Sequence, residues 1–300
     1  MPQTILMGDP SHFRVSGGAN PFTRNWWGRK KLVDPEKAHQ QWQNLYQLLT
    51  SLGVTIHVIP PDPNCPGLVY PANAGVLLEN RFVLSNLIPT RASERSIYES
   101  FLKKLGYQTA PIKSRFEGEA DFFPVGNRYI FTYGGVMTQK FVPKFTLPPW
   151  TRVYGFRSEK KALEELKTFL PKKTEVVDLE LIEESHYHGD TVFCSFGEKR
   201  KFLLAYLEGL APESRDRCRQ IFGKNLIPIP ARDAFFFAAN SWQVKTTDDL
   251  KLIMPAGVSE ELQKQIRSRG VEPVTIDVSE FLKKGGGAVK CMIGDLTSSG

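Results

Sequence analysis

Residues 35–60, PEKAHQQWQNLYQLLTSLGVTIHVIP, and then 72–84, ANAGVLLENRFVL, decide the fold of this chain. In the first stretch Ala38, Trp42, Leu45, Leu49 and Leu52 recur every three to four residues, the spacing that gathers apolar side chains on one face of a helix. Gly53 suits a helix C-cap, and Val54–Ile59 then alternates as a strand does. Further on, Ala72-Asn73-Ala74-Gly75 forms a short signature of small and polar residues. It leads into an apolar hairpin, Val76–Leu84, that turns across Glu79-Asn80. The unit is therefore helix, strand, signature, hairpin.

The same unit returns along the chain. Helices are predicted near 35–52, 94–105, 158–170, 212–222 and 259–268. Each is followed by a strand, at 54–59, 107–112, 174–181, 225–230 and 271–277, and Gly106 and Gly270 repeat the C-cap role of Gly53. The later signatures are Glu117-Gly118-Glu119-Ala120-Asp121, His188-Gly189-Asp190, Ala239-Asn240-Ser241 and Gly286-Gly287-Ala288-Val289-Lys290-Cys291. Two more hairpins are clear, Phe122–Tyr133 across Gly126-Asn127 and Val192–Tyr206 across Gly197-Glu198-Lys199. With Asn73, Asp121, Asp190, Asn240 and Cys291 as markers, the spacings are 48, 69, 50 and 51 residues, so one unit is used five times.

The last hairpin lacks its second strand, because the chain ends soon after Cys291-Met292-Ile293, while an unpaired strand, Thr4–Met7, opens the sequence. Pairing these two closes a ring. The expected fold class is α/β, a five-bladed pseudo-symmetric α/β propeller, as one domain over residues 1–300 with the signatures converging on a central site. Residues 10–34 and 134–157 break the repeat. Long irregular stretches of this kind either cover functional sites or are surface insertions without a role.

Composition narrows the function. With 41% apolar and 24% charged residues the 300-residue chain reads as an ordinary globular protein able to bury a sizeable core. No apolar run approaches the roughly 20 residues of a membrane span, and the N-terminus lacks a basic region followed by an apolar run, so a cytoplasmic protein without membrane partners is expected. Cys65, Cys194, Cys218 and Cys291 are far apart, which removes zinc-site and redox-motif spacings and makes a disulfide framework unexpected. The formal charge of +7 is spread over pairs such as Lys30-Lys31, Lys160-Lys161 and Lys283-Lys284, without the dense block or aromatic-basic motif of a nucleic-acid partner. Self-association into a homo-oligomer is left open.

Asn20-Pro21, Ala72-Asn73-Ala74-Gly75, Phe116-Glu117-Gly118, His188-Gly189-Asp190-Thr191 and Gly287-Ala288-Val289-Lys290-Cys291 resemble, in that order and over nearly the whole chain, the guanidino-group-modifying enzymes of the pentein fold. Within that superfamily the chain looks most like the arginine dihydrolase domain of cyanobacterial arginine-guanidine-removing enzymes. Those enzymes convert arginine to ornithine, ammonia and carbon dioxide; arginine deiminases and dimethylarginine hydrolases stop at citrulline. The resemblance implies that Cys291 forms a covalent adduct at the guanidinium carbon, that His188 is acid and base, and that Glu117 and Asp190 hold the guanidinium. By the same resemblance Asn20 and Arg91 hold the amino-acid head group, with Asn73, Asp121 and Asn240 as further substrate-binding candidates and no cofactor. Asparagine at Asn73 matches dihydrolases, where the deiminases it resembles usually carry aspartate. Two departures are Glu119-Ala120, where small residues are usual before Asp121, and the absence of the ornithine-processing domain, which implies that ornithine is released.

These residue types suit the chemistry. A guanidinium is planar and delocalised, and paired carboxylates fix its plane by forked hydrogen bonds while keeping it cationic. A cysteine thiolate is a strong nucleophile whose formation a bound cation favours, and Gly285-Gly286-Gly287 is expected to let backbone approach the substrate. One histidine can protonate departing ammonia and then deprotonate water. The ordinary readings are a packing role for any buried cysteine, a backbone anchor for Asp121, a surface ion pair for Arg91, a structural hydrogen bond for Asn240, and His186 in place of His188 as the base. Competing functions are an arginine deiminase or dimethylarginine hydrolase giving citrulline, an amidinotransferase, in which an amine replaces water, and a non-catalytic pentein-fold binding module like a ribosome anti-association factor.

Overall fold

The computed structural model describes residues 3–15, 21–23, 25, 29–141, 150–155 and 157–297. Five three-stranded sheets form the blades. In chain order of their inner strands they are Gly75–Leu78 with Arg81–Leu84 and Gln108–Pro111; Phe122–Val125 with Arg128–Tyr133 and Glu175–Glu180; Phe193–Phe196 with Phe202–Ala205 and Leu226–Pro228; and Trp242–Lys245 with Leu250–Pro255 and Glu272–Ile276. The fifth joins the two ends of the chain, Gly294–Asp295 with Thr4–Gly8 and Thr55–Ile59. In every blade the inner and middle strands are antiparallel, and a helix-containing connection brings the outer strand back parallel to the middle one. The ring closes by Ile5 opposite Asp295 and Leu6 opposite Gly294, as the unpaired opening strand predicts.

The five predicted helices are present as Pro35–Ser51, Glu94–Lys104, Ala162–Lys167, Pro212–Phe222 and Glu260–Arg267. The first shows how sequence specifies them. Asp34 accepts a hydrogen bond from the Lys37 amide, Pro35 occupies the first turn, and Ala38, Trp42, Leu45 and Leu49 are buried on one face. Gly53 follows in the left-handed region at φ +81 with open space where a Cβ would sit, so backbone conformation, not crowding, favours glycine there. Because Leu45 is wholly buried, Leu45→Ala is expected to lower unfolding free energy by about 2–5 kcal/mol, read from the denaturant midpoint.

Three short helices escaped the periodicity, Gly189–Val192, Ala231–Phe235 and Ser279–Gly285, each shorter than the window over which a helical pattern declares itself. The core is five apolar clusters, filled by the strands and helices of the repeat. Within 134–157, Val136–Phe141 pairs antiparallel with Trp150–Gly155 as a two-stranded sheet separate from the five blades. No described helix is long and apolar enough to cross a membrane.

Candidate active site

Each inner strand begins just after a signature, so all five signatures gather at one end of the ring axis. Short 3-10 turns carry Asn73 and Cys291, while Glu117 and His188 stand at the N-caps of a 3-10 turn and of the one-turn helix Gly189–Val192. Such tight turns aim side chains inward that a continuing strand would alternate outward. A cavity of about 90 Å³ opens there, its wall including Asn73, Arg91, Arg157, Tyr187, His188 and Cys291.

Cys291 lies at the floor. Its thiol donates to Asp190 Oδ2 at 3.2 Å, and Asn240 Nδ2 donates to the sulfur at 3.1 Å. Asn240 Oδ1 accepts from the amides of Ala288 and Cys291, and its Nδ2 also reaches the Asp190 carbonyl. Asn240 thus spends its amide oxygen on the loop that carries the sulfur, and its nitrogen on the sulfur and on Asp190. Burial pushes the Cys291 thiol well above its ordinary range, and the charge of Asp190 with the thiol's bond to it pushes the same way. The resting group is therefore a thiol. Asp190 Oδ1 is buried with no hydrogen-bond partner among the described residues, an acceptor left open beside the sulfur.

Glu117 is completely buried. Its Oε1 accepts from the Ile88 amide at 3.1 Å; its Oε2 is 3.2 Å from Arg157 Nη1 and 3.4 Å from His188 Nε2. The His188 contact is an ion-pair distance outside hydrogen-bond geometry, which leaves Nε2 without a bond in this arrangement. Burial alone raises the Glu117 carboxyl, but Arg157, His188 and Arg91 together hold it well below the usual carboxylate range. Asn73 donates to the Glu117 carbonyl at 3.4 Å and accepts from Arg91 Nη1 at 2.7 Å. Arg91 is on the cavity wall, yet its other donors go to Glu94 and the Gly67 carbonyl. The Tyr187 ring lies between these groups: its hydroxyl donates to the Gly286 carbonyl at 2.6 Å, its face packs 4.8 Å from His188, and the Arg157 guanidinium sits 4.7 Å from its centroid.

Other candidates are placed differently. Asp121 accepts from Thr132 Oγ1, the Gly189 amide and Ser158 Oγ, and is not on the cavity wall; its carboxylate anchors the backbone next to His188. Asn240 is likewise committed to protein partners and not to open space. Asn20 lies outside the described residues. His186 is held between Tyr206 and Phe237 with Nε2 near the Ala234 carbonyl, away from the cavity. Cys65, Cys194 and Cys218 are free, buried and in apolar clusters. Gly285 and Gly287 face Tyr70: a Cβ would stand 1.9 Å from its hydroxyl at Gly285, and at Gly287 2.7 Å from its ring and 2.8 Å from Cys291 Cβ. The glycines thus make room for the Tyr70 ring, and both also stand on the cavity wall. Sequence reading missed Arg157 and Tyr187; one sits at the end of an insertion and the other between two histidines, and neither position carries a repeat signal.

Glu119 turns to the far side of the 3-10 turn, where it meets Lys290 Nζ at 3.0 Å and accepts from the Asp295 amide at 2.6 Å, so it neither fills nor charges the cavity. Burial outweighs Lys290 and pushes its carboxyl from 4.5 up to about 7. The native state then holds a proton across that interval that the unfolded chain has released. The stability belonging to the neutral form is complete at pH values below the unfolded one and is lost as pH rises through about 7. Glu119→Gln should flatten the fall in Tm between mildly acid and neutral pH, measured against the parent protein.

Five blades around one axis, with cysteine, histidine and two carboxylates converging at its mouth, define a pentein of the guanidino-modifying class. Residues 9–132 and 154–298 match the eukaryotic N,N-dimethylarginine dimethylhydrolase family. The chain belongs to that family. It is 29% identical over 286 residues to the N(G),N(G)-dimethylarginine dimethylaminohydrolase of Mycobacterium tuberculosis, covering 95% of this chain and 83% of that protein. It is 28% identical over 293 residues to the bifunctional arginine dihydrolase/ornithine cyclodeaminase of a Nostoc species, covering 96% of this chain but 37% of the relative. Among solved structures, the substrate-bound N-terminal domain of a cyanobacterial arginine dihydrolase superposes with a TM-score of 0.83 at 26% identity, covering 99% of this chain and 98% of that one.

Proposed function

We propose that this chain is a single-domain cysteine-dependent hydrolase of the guanidino group of arginine, releasing ornithine, ammonia and carbon dioxide. The observation that carries the reading is the open acceptor Asp190 Oδ1 beside a thiol that donates a hydrogen bond to Asp190 Oδ2. A guanidinium N–H is the donor that acceptor lacks, and the same cation lowers the cost of forming the thiolate. Glu117 and Asp190 hold the guanidinium plane, and Arg91 and Arg157 bring positive charge to the cavity wall for the carboxylate end.

Cys291 gives its proton to His188 as the sulfur adds to the guanidinium carbon, and His188 hands that proton to the departing nitrogen, which leaves as ammonia from a thiouronium-type adduct. His188 then takes a proton from water, the hydroxyl adds to the same carbon, and the C–S bond breaks to leave a ureido group. A second round on that group releases the second ammonia and a carbamate that decomposes to ornithine and carbon dioxide. Neutral Asn73, on the cavity wall, suits the neutral ureido group between rounds. Incubation with arginine tests this: two ammonia per ornithine supports dihydrolysis, while citrulline accumulation with one ammonia overturns it. The family match favours a second reading, hydrolysis of dimethylarginine to citrulline and dimethylamine. It predicts faster turnover of dimethylarginine than of arginine in the same assay.

A further inference from the structure

Building on the arginine reading, we infer that Arg157 is the resident occupant of the guanidinium seat at Glu117. Substrate enters by exchange: its guanidinium takes Glu117 while its carboxylate takes the displaced Arg157. Three observations converge on this. Glu117 is fully buried and absent from the cavity wall, whereas Arg157, whose Nη1 stands 3.2 Å from Glu117 Oε2, is on it. The group covering the carboxylate is thus chemically the same as the reactive end of the substrate. The cavity of about 90 Å³ is also far below the roughly 300 Å³ at which ligand pockets begin, so the protein's own side chains fill the space a substrate needs.

The third observation is Arg157 Nε, which is buried without a hydrogen-bond partner among the described residues. Buried donors are normally paired, and an incoming carboxylate would supply the missing acceptor. Arg91 differs, because Glu94, Asn73 and the Gly67 carbonyl already engage its guanidinium. Arg91 is a fixed cation, and Arg157 is an exchangeable one held by a carboxylate on one side and the Tyr187 ring on the other.

Exchange makes Arg157 a specificity-determining residue. A guanidino compound without an acid group displaces Arg157 from Glu117 and leaves it buried and unpaired, which is strongly unfavourable. Arginine supplies both charges and leaves none stranded. The two halves of the substrate should therefore bind cooperatively even when they come from separate molecules.

Calorimetric titration of the wild-type protein with agmatine, which is arginine without its carboxylate, tests this in saturating sodium acetate against equal sodium chloride. Acetate is expected to tighten agmatine binding about tenfold, within the usual range of coupling between two ligands. In Arg157→Gln, agmatine should bind more tightly than to wild type without acetate, and the acetate effect should vanish. There kcat/KM for arginine should fall about 100-fold. A role in carboxylate binding alone predicts no gain for agmatine. Agmatine affinity that is indifferent to acetate in wild type overturns the exchange, and needs no variant to fold. Arginine hydrolysed under those same conditions would leave the functional reading standing; arginine neither bound nor hydrolysed would bring down both.

Discussion

Cys291→Ser is expected to lower arginine turnover by about 10⁴-fold or more while arginine still binds. Cys291 lines the cavity, and its sulfur receives a hydrogen bond from Asn240 and gives one to Asp190. A serine hydroxyl fits the same two bonds, so the loop from Gly287 to Cys291 keeps its place. What changes is acidity and nucleophilicity: burial and Asp190 already raise the thiol, and a hydroxyl starts far higher. Ammonia release and arginine affinity, measured separately, check the split. Ammonia release within tenfold of the parent enzyme would exclude a covalent cysteine adduct.

Asp190→Asn is expected to cut arginine turnover by about 10²- to 10³-fold, the cost of removing one charge from a buried charged contact. The same change should make Cys291 more reactive toward iodoacetamide. Asp190 raises the thiol both by its charge and by accepting its hydrogen bond, so removing the charge favours the thiolate even as the guanidinium loses its holder. A loosened site would also expose this buried thiol, so the faster alkylation must be confined to Cys291, with Cys65, Cys194 and Cys218 as protected as in the parent and Tm unchanged. Alkylation that slows in step with turnover would assign Asp190 a purely structural part.

The repeat was legible because it obeys local rules. Ala38, Trp42, Leu45 and Leu49 announce a helix by spacing, Val76–Leu84 and Phe122–Tyr133 announce hairpins by alternation around a polar turn, and Thr4–Met7 lacks a partner within its own neighbourhood. His186, His188 and Asp190 fall on alternate positions, which a strand would put on one face, yet of the two histidines it is His188 that reaches the cavity and Glu117, because it precedes a one-turn helix and belongs to no continuing strand. Glu117, Glu119 and Asp121 alternate in the same way, and a 3-10 turn sends Glu119 to Lys290 and Asp121 to the Gly189 amide.

By itself, the sequence determined five units, the closing of the ring by its two ends, and the few residues able to attack, protonate and hold a guanidinium. Periodicity and residue chemistry are properties of neighbours along the chain, and those survive in a string of letters. Only the tertiary structure decided that Asn240 and Asp121 bond to the backbone of Cys291 and Gly189, that Tyr70 needs Gly285 and Gly287, and that Arg157 covers Glu117. Each of those is a contact between residues tens of positions apart or more, made when blades pack around an axis, and packing distance has no signature in local spacing.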